Sequence, residues 1–237
     1  MKRNQHINNV VSISFDGDDT LWDFHSVMCH SLQYTLYELY QAVPGTKTSG
    51  LTVDKMIELR DEVSNEHKAK GLTLEDIRYR SFVRIVNYVG IDDIELARHL
   101  NRIYLKHRYE DIQLYSDVIP TLDALSSNCI LGLLSNGNTY PERIGLKDRF
   151  SYVIFAQDVG FEKPDPRIFK KALDKVDCAP HELLHVGDSL DSDVIGANNV
   201  GVISVWLNRD KRPNETGIVP DFEISTLATI LNLLGVS

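Results

Sequence analysis

Apolar residues recur along this chain in two rhythms. Between residues 25 and 110 they fall at helical spacing, and elsewhere short apolar runs alternate with helical stretches. Val27, Leu32, Leu36, Leu39 and Val43 mark a first helix, stopped by Pro44-Gly45. Val53, Met56, Ile57 and Val63 mark a second, closed by Gly71. Thr73-Leu-Glu-Asp76 has the form of a capping box and opens a third. Ile77, Ser81, Ile85 and Val89 make its apolar stripe, and Gly90 ends it. Ile94, Ala97, Leu100 and Ile103 carry a fourth.

Outside this block, apolar runs at 10–15, 130–134, 152–155, 183–186, 202–206 and 221–224 read as strands. Helical patterns fall near 119–127, 141–147, 166–175, 191–199 and 225–234. Such alternation predicts parallel strands joined by helical crossovers. The expected fold class is α/β. A Rossmann-like parallel-sheet core, residues 1–23 and 112–237, is interrupted after its first strand by an inserted helical-bundle domain, residues 24–111.

The polar residues that end the strands carry the candidate chemistry. Asp16-Gly-Asp18-Asp-Thr20 follows the first run, Ser135-Asn136-Gly137 the second, and Gly187-Asp188-Ser189 the fourth, with Asp193 five residues after Asp188. Lys163 sits among turn formers in Gly160-Phe-Glu-Lys163-Pro164-Asp165-Pro166. Open parallel sheets place ligand crevices at the carboxyl ends of their strands, so these clusters meet on one edge. Carboxylates gathered there are costly unless paired, hydrogen-bonded or holding a metal. Two Asp residues two positions apart offer one group to attack and one to move protons.

Composition narrows the partners. The chain has 237 residues, 43% of them hydrophobic, enough for a core. A net charge of −9 argues against a broad nucleic-acid footprint. An anionic substrate gains nothing from that overall field, so a metal or Lys163 must attract it. No apolar stretch approaches the ~20 residues of a membrane span. The basic start lacks an apolar signal core, and the expectation is a cytoplasmic protein. Cys29, Cys129 and Cys178 are widely spaced, without Cys-x-x-Cys, which argues against disulfides and thiolate zinc. The eight histidines show no metal-binding spacing and read as structural or surface residues.

Taken in order, Asp16-x-Asp18-x-Thr20, Ser135-Asn136, Lys163-Pro164 and Gly187-Asp188-Ser189-x-x-x-Asp193 resemble the four signature motifs of the haloacid dehalogenase superfamily of hydrolases. The resemblance spans all but the polar first residues. It implies a phosphatase-like member of the subclass whose helical cap, inserted after the first motif, closes over the active site and selects the substrate. Asp16 is then the nucleophile and Asp18 the general acid and base. Ser135, with the amides of Asn136 and Gly137, binds phosphoryl oxygens, and Lys163 steadies their charge and the nucleophile. Mg²⁺ is implied as cofactor, held by Asp16, Asp188 and the backbone carbonyl of Asp18. Thr20 orients the loop, and Asp193 holds a metal-bound water or pairs with Lys163. Gly17 departs from the family pattern, where a larger apolar residue is usual.

The implied activity is Mg²⁺-dependent hydrolysis of a small phosphorylated metabolite through an aspartyl-phosphate. Three alternatives stand beside it. A phosphomutase keeps all four motifs. A haloacid dehalogenase uses the same nucleophile on carbon but has no acid at the position of Asp18. A non-catalytic phospho-ligand binder would tolerate loss of an acid or the lysine. Arg78, Arg80 and Arg84 share one inserted helix and are candidates for contacting substrate or for a solvated surface.

Overall fold

The computed structural model describes residues 7–43, 45, 50–67 and 72–236; Pro44 and Gly71, expected as helix stops, lie outside them. The chain forms two compact units, 1–23 with 114–237, and 24–113.

The larger unit is built on a six-stranded sheet: β1 (Ser12–Phe15), β2 (Ile130–Ser135), β3 (Tyr152–Phe155), β4 (Leu183–Gly187), β5 (Ile203–Leu207) and β6 (Phe222–Ile224). Their order is β3-β2-β1-β4-β5-β6 and every pairing is parallel. The order reverses between β1 and β4, which makes the crevice at their carboxyl ends the topological switch point. Phe15 lies beside both Leu133 and Val186, so β1, β2 and β4 end within two residues of one another. Both faces of these strands are covered, and Ile13, Phe15, Leu133, Leu134, Leu184 and Val186 are buried.

In the smaller unit, α1 (Phe24–Ala42), α2 (Val53–His67), α3 (Leu74–Tyr88) and α4 (Ile94–Glu110) enclose a core that includes Leu32, Leu36, Leu39, Met56, Phe82, Ile85 and Leu100. The capping box forms: the Thr73 hydroxyl accepts from the Asp76 amide, and the Asp76 carboxylate accepts from the Thr73 amide. Ile94 is exposed rather than core, because it is the first residue of α4. Tyr104 is buried in its place farther along the helix. Arg84 pairs with Glu62 and Glu66, and Arg78 donates to Asn101, so both link inserted helices to each other. Among the described residues, no helix is long and apolar enough to cross a membrane.

The remaining helices of the larger unit are α5 (Val118–Ser126), α6 (Ala156–Val159), α7 (Pro166–Val176), α8 (Ile195–Asn198) and α9 (Thr229–Leu234). Three sequence expectations are corrected here. The helix expected at 141–147 is a single 3₁₀ turn, Pro141–Arg143, because Gly145 takes a left-handed φ of 79°. The helix expected at 191–199 opens with a widened turn, Leu190–Val194, in which the Val194 amide reaches back to the Ser189 carbonyl. The helix expected from 225 starts at Thr229, and α6 escaped the sequence pattern because it is one turn long.

Candidate active site

The local sequence accounts for the site's placement. Asp16 directly follows β1, and its amide donates to the Val186 carbonyl, which extends the β1–β4 ladder to the nucleophile candidate. The chain then turns sharply, with Asp19 at a φ of 60° and the amides of Thr20 and Leu21 returning to the Gly17 carbonyl. Asp, at home in left-handed conformations, suits that corner. A Cβ at Gly17 would run into the indole of Trp22. Here Trp22 fills the space that a larger residue at position 17 would occupy.

Lys163 is the centre of the cluster. Its ammonium donates to Asp16 Oδ1 at 2.6 Å, to Asp193 Oδ1 at 2.6 Å and to the Leu134 carbonyl at 2.8 Å. All three of its donors are used, and its side chain is 1% exposed. Asn136 fixes the lysine's backbone from both sides: its Oδ1 accepts from the Lys163 amide and its Nδ2 donates to the Lys163 carbonyl. The Gly137 amide donates to Ser135 Oγ at 3.0 Å.

Asp18 has contacts of its own. Its Oδ1 accepts from the Trp22 indole at 2.6 Å and from Thr139 Oγ1 at 3.5 Å. A Cβ at Gly137 would collide with the other Asp18 oxygen, so glycine there gives the carboxylate its room. Thr20 Oγ1 donates to Asp188 Oδ1 at 3.5 Å, and the Trp206 indole donates to the Asp188 carbonyl.

One ammonium stands between two buried carboxylates, and the two fare differently. Burial alone would raise both. Asp193 is nevertheless held well below the usual carboxylate range by Lys163 and by a hydrogen bond from His185. Asp16 stays raised, because burial and the neighbouring Asp193 and Asp188 outweigh its share of Lys163. Burial would lower Lys163, yet Asp16 and Asp193 carry it above its ordinary value. Burial, with Asp193 and Asp19, pushes Asp188 up to about 7.

Carboxylate oxygens of Asp16, Asp188 and Asp193 lie within 4.8 Å of one another. Hard oxygen donors at that spacing suit Mg²⁺. Asp16 and Asp188 are raised by burial first and then by neighbouring acids, as expected of carboxylates brought together without enough positive charge. Asp193 already accepts from Lys163, His185 and the Ser189 amide, which leaves Asp16 and Asp188 as the natural carboxylate ligands.

Several supporting residues carry no motif. His185 is fully buried, with Nδ1 at 2.8 Å from Ser14 Oγ and Nε2 at 3.0 Å from Asp193 Oδ1. Burial lowers its pKa, so the ring is neutral, donates from Nε2 to Asp193 and accepts from Ser14. Arg209 donates to the Thr20 carbonyl and makes a two-pronged pair with Asp117, whose Oδ2 also accepts from the Leu227 amide. It thereby braces the loop after β1 from across the sheet.

A family model for haloacid dehalogenase-like hydrolases matches residues 12–201. The chain belongs to that family. Over 95% of its length this hydrolase is 28% identical to a glyceraldehyde 3-phosphate phosphatase of Methanopyrus kandleri, covering 97% of that protein. It is 28% identical to a pyrimidine 5'-nucleotidase of Escherichia coli, over 94% of this chain and 96% of the other. A phosphoserine phosphatase of Thermus thermophilus is 35% identical over 57% of each chain. Among solved structures, a 2-haloacid dehalogenase from Pseudomonas syringae superposes with a TM-score of 0.78 at 28% identity, over 95% of this chain and 98% of that one.

Proposed function

We propose that this hydrolase is a Mg²⁺-dependent phosphomonoesterase that works through an aspartyl-phosphate on Asp16 and acts on a small phosphorylated metabolite. The observation that carries the reading is the division of labour among the carboxylates. Asp16 faces a buried ammonium, while Asp18 accepts from Trp22 and Thr139. Relatives named for glyceraldehyde 3-phosphate, pyrimidine nucleotides and phosphoserine support the substrate class.

In this reading an Asp16 oxygen attacks phosphorus and the bond to the leaving oxygen breaks. Asp18 gives that oxygen its proton. Water then attacks the same phosphorus, loses a proton to Asp18 and frees Asp16 and inorganic phosphate. Ser135 and the amides of Asn136 and Gly137 donate to the phosphoryl oxygens as charge develops, with the Gly137 amide exchanging its Ser135 contact for the ligand. Lys163 offsets charge on Asp16 throughout. Asp16, Asp188 and the Asp18 carbonyl would hold Mg²⁺, which adds positive charge against the phosphoryl group and lowers Asp16. Thr20 and Asp193 orient Asp188 and Lys163.

A second reading, hydrolysis of a carbon–halogen bond, draws on the solved dehalogenase of the same fold. Asp18 speaks against it, since a halide leaves without a proton. A panel of glyceraldehyde 3-phosphate, phosphoserine, pyrimidine nucleoside monophosphates, p-nitrophenyl phosphate and a 2-haloacid decides between the two. The expected result is Mg²⁺-dependent release of phosphate, abolished by EDTA and restored by Mg²⁺. Turnover of the haloacid alone would replace this reading with the second.

Two further outcomes follow from the geometry. Gly137→Ala should push the Asp18 carboxylate off the Trp22 indole. A displacement on that scale lowers kcat by about 10²-fold. The melting temperature should barely move, because the collision falls on a movable side-chain oxygen.

Mg²⁺ binding should also weaken as pH falls through about 7, since Asp188 must lose its proton to bind. Its folded value lies above the unfolded one, so the metal-free protein loses stability as pH rises from about 4 to 7. Mg²⁺ removes that loss. The rise in melting temperature on adding Mg²⁺ should therefore grow from pH 5 to pH 8. Neutral His185 acts oppositely, favouring higher pH below its ordinary value, but it contributes with and without Mg²⁺ and drops out of the difference. A rise independent of pH would remove Asp188 from the ligand set.

A further inference from the structure

The inserted helices bring together three metal-ligating side chains that the catalytic chemistry does not use. His30 lies on α1, His107 in the last turn of α4, and Asp111 caps that helix one turn on. Asp111 Oδ2 stands 2.7 Å from His107 Nδ1 and 3.2 Å from His30 Nε2. All three donor atoms lie within 4.8 Å of one another. Tyr34, one turn after His30, stacks flat on the His107 ring, with centroids 3.8 Å apart and planes 5° from parallel. His30 meets the edge of Tyr34 at 5.0 Å. Two i,i+4 pairs, His30 with Tyr34 and His107 with Asp111, thus face each other and aim one nitrogen of each imidazole at the same carboxylate oxygen.

We propose that His30 Nε2, His107 Nδ1 and Asp111 Oδ2 form a binding site for Zn²⁺. Two imidazoles and one carboxylate suit zinc and disfavour Mg²⁺ or Ca²⁺, which prefer oxygen alone. Tetrahedral zinc at its usual bond lengths holds its donor atoms about 3.3 Å apart. The two contacts to Asp111, 2.7 and 3.2 Å, fall just inside that spacing, and the half-exposed His30 can swing outward to complete it. Binding would displace the N–H that each of these nitrogens gives to Asp111, the proton moving to the ring's other nitrogen, and water would take the fourth position. The ion ties α1 to the carboxyl end of α4 and stands apart from the carboxylate cluster in its donor chemistry.

Equilibrium dialysis of the full chain against Zn²⁺ tests this, with excess Mg²⁺ present to fill oxygen-only sites without competing for imidazole. The wild type should bind one more Zn²⁺ than His30→Ala, a change at a half-exposed position that leaves the helical circular dichroism intact. Asp111→Asn should bind that ion at least about tenfold more weakly. Bound Zn²⁺ should protect His107 from modification by diethyl pyrocarbonate in the wild type but not in His30→Ala. Equal stoichiometry and affinity in the wild type and His30→Ala would overturn the site, whatever the enzyme's activity.

Discussion

Replacing Lys163 with Met is expected to cost both turnover and fold. The lysine is the shared counter-charge of two buried carboxylates, and both distances are 2.6 Å. Removing one partner of a buried pair typically costs about 3–5 kcal/mol, because the other charge is left without compensation. Here two carboxylates are left. They recover part of the loss by taking up protons, so the variant should be far less stable at pH 8 than at pH 5. The wild-type pairing behaves differently. Lys163, raised in the fold, keeps its contribution at every pH below its ordinary value, and Asp193, lowered in the fold, keeps its own at every pH above its ordinary value. Both are complete between about pH 5 and pH 9. The double variant Lys163→Met/Asp193→Asn removes one stranded charge and should regain much of the stability. It should regain none of the activity, which falls by about 10²–10³-fold when a single charge-stabilising donor is lost from a reacting centre. Thermal melts at the two pH values, with kcat for p-nitrophenyl phosphate, check both halves. Full activity in a folded Lys163→Met protein would remove the lysine from the mechanism.

The sheet and the motif ends were legible because each is a local event. An apolar run such as Ile130–Leu134 needs a strand, and after Ser135, its last residue, Asn136-Gly137 leave it. The bracing around those motifs was not legible, because it joins residues far apart in sequence. Arg209 reaches the Thr20 carbonyl across 189 positions, and His185 meets Ser14 across 171. One signal was available. Ser12 and Ser14 share a face of a strand that is buried on both sides, and a histidine interrupts the apolar run of β4. Polar residues in two buried strands must find each other, and the register does place Ser14 beside His185. The widened turn at Leu190–Val194 was hidden for another reason. Helical periodicity does not distinguish a wide turn from an ordinary one, yet this turn carries Asp193 to Gly187, where a Cβ would have no room. The pair of histidines beside Asp111 escaped as well, since α1 and α4 are separated by two other helices in the chain.

Asp18→Asn should separate the two chemical steps and so test the proposed roles of both aspartates. An alkoxide leaves badly without a proton, whereas p-nitrophenolate leaves well unaided. Acid–base help is typically worth about 10²–10⁴-fold. With alkyl phosphates, the first step in the variant should slow by that amount. With p-nitrophenyl phosphate it should survive, while breakdown of the acyl phosphate slows because no base takes the proton from water. Phosphorylated Asp16 should then accumulate, visible as added mass on the intact protein, and a burst of p-nitrophenolate should precede slow turnover. Asparagine keeps the Oδ1 acceptor that the Trp22 indole and Thr139 hydroxyl use, so the loop should hold its shape and the melting temperature should change little. Asp16→Asn should give neither burst nor added mass, since an amide is no nucleophile. If Asp18→Asn hydrolyses both ester types at the wild-type rate, the proton moves through another residue, and the contacts of Asp18 with Trp22 and Thr139 have a structural meaning only.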